Sequence, residues 1–90
     1  MKEVITTPLV DVALRTLDNE NRRRVRDWFH RLANWDGDEF VRKHSHSLDS
    51  LPGVYVVRAS TDLRIFFKIQ GNTLTVVDIA TKQSIELSGQ

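Results

Sequence analysis

Two histidines at alternate positions, His44 and His46, are the residues best suited to moving protons, because imidazole titrates near neutrality. Their spacing puts both rings on one side of an extended segment. Asp49 is the nearest further ligand, which leaves a zinc set incomplete, so acid–base work is the better chemistry for the pair. A pair of surface histidines in a loop accounts for the same spacing. Arg58 and Arg64 stand on two strand-like runs, and a guanidinium grips phosphate or carboxylate through two parallel hydrogen bonds. Strand arginines on an open face are also commonly solvated or ion-paired. Between Arg22 and Arg31 five arginines face one acid, Asp27, which offers a second landing place for a polyanion or an acidic partner segment. The plainer alternative there is a solvated helix face, with Asp18, Glu20 and Asp27 in reach for weak ion pairs. Asp62 and Asp78 are carboxylates at a turn and near a strand end, where a backbone cap and an ion pair to Arg or Lys account for them.

The rest of the chain must supply a scaffold. Ninety residues and 10.4 kDa correspond to one domain spanning residues 1–90, and 40% hydrophobic with 28% charged residues is an ordinary globular composition. Net charge is +1, from thirteen cations against twelve anions, so the basic character is local rather than global. No cysteine is present, which excludes disulfides and thiolate metal sites and fits a reducing, cytoplasmic setting. Neither a signal peptide nor a membrane span is legible, so no membrane partner is expected. No cofactor is called for by any motif.

Val4 and Ile5 alternate with polar neighbours in a short strand suited to a sheet edge. Thr7-Pro8 then signals a helix, and Leu9, Val10, Ala13, Leu14 and Leu17 recur at helical spacing, which predicts a short and mostly buried helix. Asp18 or Asn19 caps a second helix whose stripe is Val25, Trp28, Phe29, Leu32 and Trp35, best read as core, and the hairpin ends at Asp36-Gly37-Asp38. Phe40-Val41 begins a short helical or extended connection toward Leu48 and Leu51. After Pro52-Gly53 the period falls to two: Val54 to Arg58, Leu63 to Gln70 and Thr73 to Ala80 predict a three-stranded meander, with Gly71-Asn72 as a tight turn. The tail from Thr81 carries Ile85 and Leu87 as apolar anchors for a short extra strand or a frayed end. The expected architecture is α+β, with an N-terminal strand and a helical hairpin packed on one face of a twisted antiparallel sheet. A two-residue turn assigns Leu63, Ile65, Phe67, Ile69, Leu74 and Val76 to the covered face, and Arg64, Phe66, Lys68, Thr75, Val77 and Ile79 to the open one. Arg58 joins Arg64 only if the intervening loop is long or bulged.

The runs Tyr55-Val56-Val57-Arg58, Asp62 to Ile69 and Val76-Val77-Asp78-Ile79 resemble the meander of the RelE/ParE toxin superfamily, the toxin halves of type II toxin–antitoxin pairs. The likeness extends over nearly the whole chain. It implies a cognate antitoxin as partner, and Phe66, Val77 and Ile79 on the open face lead to the expectation that this partner buries part of the open sheet or the groove beside the second helix. In the RelE branch it further implies ribosome-dependent cleavage of messenger RNA without metal, by attack of a 2′-hydroxyl on the neighbouring phosphate. Arg58 and Arg64 match the family's meander arginines, and Lys82 stands near where such toxins carry another basic residue. Lys68, Lys43 and Arg42 join Lys82 as expected RNA or phosphate ligands, while Tyr55, His44 and His46 are the expected proton carriers.

The departures from that pattern are specific. RelE-type sequences tend to carry lysines along the first meander strand and an Arg, then often a Tyr, after the last; here those places read Val54, Val56, Gln83 and a short Leu87-Ser88-Gly89-Gln90 tail. Proton transfer and charge stabilisation are each worth about two or more orders of magnitude in rate, so a slow enzyme is expected. The thinned basic set equally fits the ParE branch, which poisons DNA gyrase without hydrolysis, or a degenerate toxin acting as an interaction module.

Overall fold

Thr7 caps the first helix as its hydroxyl accepts from the Val10 amide, and Pro8 occupies the first turn, where no amide donor is needed. The computed structural model, which describes residues 1–81, runs β1 (Glu3–Thr6), α1 (Pro8–Thr16), α2 (Asn19–Ala33), α3 (Glu39–Lys43), β2 (Ser45–Ser47), β3 (Val54–Ser60), β4 (Leu63–Gln70) and β5 (Thr73–Thr81). Asp18 caps α2 and Asp38 caps α3, each carboxylate accepting from an amide three residues on. The helical hairpin and the meander stand where the sequence places them, in an α+β arrangement.

The five strands lie in the order β1-β5-β4-β3-β2. The sheet is mixed rather than wholly antiparallel, because β1 pairs parallel to β5, from Glu3 beside Thr73 to Thr6 beside Val76. Direction of pairing depends on where the intervening chain returns, which alternation within one strand does not encode. Lys2 secures this junction: its amide donates to Ala33 O, and its buried ammonium donates to Gly71 O at 2.7 Å and pairs with Asp36. The connection after α3 contains β2, a further antiparallel strand whose three polar residues, Ser45-His46-Ser47, give no apolar signal.

Leu32, Val25, Val57, Leu63, Ile65, Phe67, Leu74 and Val76 form the centre of the core, with Trp28, Phe29 and Trp35 packed against it. The helix α1 is less buried than its periodicity predicts. Val10 is its sole buried residue, while Leu9 and Val12 lie 61% and 54% exposed, because α1 turns only one side to β5. Ile79 lies on the covered face and not the open one, since a bulge at Val77 sets Asp78 opposite Phe66 and Val76 opposite Phe67, reversing side-chain parity beyond it. No helix among the described residues is long and apolar enough to cross a membrane.

Candidate active-site groove

A second bulge builds the site. Ser60 pairs with Leu63, and an unbulged ladder would then set Arg58 against Ile65 on the covered face; the extra residue Ala59 sets it opposite Arg64 instead. Two guanidinium groups thus face each other across β3 and β4 on the open side. Like charges directly opposite in a sheet repel, and among the described residues neither arginine has a carboxylate within ion-pair distance. An anion bridging the two would relieve that repulsion.

The arginines line an open groove of about 520 Å³ with Lys43, His44, His46, Leu48, Val56 and Phe66. Among the described residues no carboxylate lines it, so the charge they give it is basic. The adjacent row of the sheet is His46, Val56, Phe66 and Asp78, which sets His46 one pleat along from the arginine pair. Asp78, in place of an Arg or Lys partner, accepts at 2.8 Å from the Ile79 amide.

His44 ends α3. Its Nδ1 lies 2.8 Å from Phe40 O, and its ring stacks on the Phe40 ring with centroids 4.0 Å apart. A carbonyl only accepts, so Nδ1 is the N–H donor and the neutral ring keeps its lone pair on Nε2. Nε2 is therefore the nitrogen of that ring able to act as a general base.

The nine candidate residues divide accordingly. Arg58, Arg64, His44, His46 and Lys43 gather in the groove. Lys68 is on the same sheet face, beside Val54 and Thr75, farther along β4. Arg42 is drawn aside, with Nη1 donating to Trp35 O at 2.6 Å and Asp36 O at 2.9 Å. Tyr55 stacks against Phe67 and meets Trp35 edge-on, on the helix-covered face, so its ring does not share a side with Arg64. The alternation Tyr55, Val57 already places it with the core residues. Lys82, Gln83 and the tail beyond lie outside the described residues. Two supports were missing from the sequence reading: Phe40, which holds His44, and Leu48 as a wall. The four-residue spacing of Phe40 and His44 on a helix was the available signal for the first.

No family model and no curated protein matches the chain. Solved structures do. A chain of the archaeal RelE–RelB complex from Pyrococcus horikoshii OT3 superposes with a TM-score of 0.69 at 15% identity, covering 90% of this chain and 94% of that one. The RelB–RelE antitoxin–toxin complex of Methanococcus jannaschii gives 0.74 at 12% identity, over 96% and 99%. This chain has the RelE/ParE-like toxin fold. A YoeB/ParE toxin from Agrobacterium tumefaciens shares it, with a TM-score of 0.70, 12% identity and coverage of 88% and 96%. In this RelE-like fold the sheet is covered by helices on one side and carries the basic groove on the other.

Proposed function

We propose that the chain is the toxin of a toxin–antitoxin pair and that its groove cleaves messenger RNA on the ribosome. The observation that carries this reading is the facing pair Arg58 and Arg64, beside a histidine whose Nδ1 is tied to a carbonyl. The two guanidinium groups suit the non-bridging oxygens of one phosphodiester and the extra negative charge that develops on it during attack. His44 Nε2 accepts the proton of the 2′-hydroxyl as its oxygen bonds to phosphorus. His46 supplies a proton to the departing 5′-oxygen, so the products are a 2′,3′-cyclic phosphate and a free 5′-hydroxyl. Lys43 adds positive charge at the rim.

The toxin assignment is supported by the fold's relatives, several of which are toxin–antitoxin complexes. Induction of the parent chain should arrest growth with transcripts cut inside reading frames. The variant Arg64→Ala should relieve the arrest and slow cleavage by about 100-fold or more, with an unchanged melting temperature. Intact transcripts with blocked supercoiling would transfer the activity to DNA gyrase, and an Arg64→Ala variant as toxic as the parent would end the hydrolytic reading.

A further inference from the structure

A second recess of about 420 Å³ opens between α2 and α3, lined by Arg24, Asp27, Trp28, Arg31 and Phe40. It shares a wall with the groove, since Phe40 lines the recess and stacks on His44, which lines the groove. Its parts are held in place. The Trp28 indole donates to Ala59 O at 3.2 Å, and Trp28 and Phe40 stack with centroids 6.3 Å apart. The Arg31 guanidinium carbon lies 5.1 Å from the Phe40 centroid and 5.7 Å from that of Trp28. Arg31 therefore presents a planar cation fixed on two rings, and Phe40 remains 48% exposed.

We infer that this recess takes the next unpaired nucleotide of a single-stranded RNA whose phosphate sits on Arg58 and Arg64, with a base against Arg31 and Phe40 and a phosphate on Arg31, or on Arg24 in exchange for its Glu20 partner. The inference rests on the RNA reading of the groove and adds a second contact to it. The two rings are too close for a base to slide between them, because two stacking gaps of about 3.5 Å exceed their 6.3 Å separation. The base therefore lies across the exposed side of Phe40 and the guanidinium plane, surfaces on which unpaired bases stack in RNA-binding proteins. Charge continuity favours RNA over an acidic peptide. Among the described residues the groove presents Lys43, Arg58 and Arg64 without a carboxylate, and Asp27 in the recess can accept from a base amine, a donor that an acidic side chain lacks.

The test measures binding of fluorescent 2′-O-methyl oligoadenylates, which lack the attacking hydroxyl, at several salt concentrations. Phe40→Leu and Arg31→Gln should each weaken octanucleotide binding about 5- to 100-fold and leave a mononucleotide, 2′-O-methyladenosine 3′-phosphate, which has no neighbouring nucleotide to reach the recess, little changed at the groove. Arg31→Gln should also lower the salt slope by about 0.7 if it removes one phosphate contact. Arg64→Ala should weaken both lengths. Unchanged octanucleotide binding in both recess variants, with Arg64→Ala still impaired, would overturn the recess alone. Recess variants that bind RNA like the parent but lose the antitoxin would reassign the surface to protein. No binding of either length by the parent would overturn the RNA reading of the groove and the recess with it.

Discussion

Arginine serves several different ends in this chain, and residue type alone does not separate them. Arg58 and Arg64 face one another across the groove, whereas Arg24 pairs with Glu20 at 2.7 Å on an exposed helix surface, an interaction worth little. Arg22 closes the end of α1: its Nε donates to Leu14 O at 3.1 Å and its Nη2 to Leu17 O at 2.9 Å and Arg15 O at 3.4 Å. It therefore stabilises the hairpin and is withdrawn from any polyanion surface on α2. Replacing Arg22 by Ala should cost about 2 kcal/mol through carbonyls left without a charged donor, read as a fall of roughly 10 °C in the melting temperature. Arg23→Ala, at an exposed neighbour, should move it within about 0.5 kcal/mol. Equal effects of the two substitutions would refute the capping role.

Two one-residue bulges decide what the strands present. Ala59 brings Arg58 to the open face, and Val77 sends Ile79 to the covered one. Both shift side-chain parity, so residues beyond them exchange faces without any change in composition. The turn between β4 and β5 is simpler. Gly71 sits at φ +58°, in the left-handed region, and an added Cβ would meet nothing within 4 Å. Its substitution by Ala should therefore cost backbone strain alone, about 1–2 kcal/mol, and Gly71→Asn less, because Asn tolerates that conformation. Denaturant midpoints would check the order parent, Asn, Ala; an Ala variant as stable as the parent would show that the turn relaxes elsewhere.

At the scale of the molecule, the free apolar side chains Ile5, Leu9 and Val12 gather on β1 and α1, and β1 is an edge strand with one unpaired side among the described residues. Phe40 and Leu51 add exposed apolar area elsewhere. Such surfaces favour association, which the proposed pairing with an antitoxin requires. A partner present at a hundred times its dissociation constant adds about 2.7 kcal/mol of stability, a rise of roughly 10–20 °C in melting temperature for a domain of this size. If a small protein is encoded beside it, co-expression with that protein should produce this rise, measured by differential scanning fluorimetry. A melting temperature indifferent to the co-expressed protein would count against the toxin–antitoxin pairing.

The sequence by itself determined the helical hairpin, its capping residues, the meander and the Gly71-Asn72 turn, because caps, 3.6-residue stripes and two-residue alternation are local signals. It also singled out Arg58, Arg64, His44 and His46, through the chemistry their side chains can perform. Only the tertiary structure decided that β1 runs parallel to β5, that Ser45–Ser47 is a strand, and that Arg58 faces Arg64. Each of these depends on pairing between distant segments or on a single bulged residue. A bulge leaves the amino-acid order untouched while rotating every later side chain to the other face of the sheet.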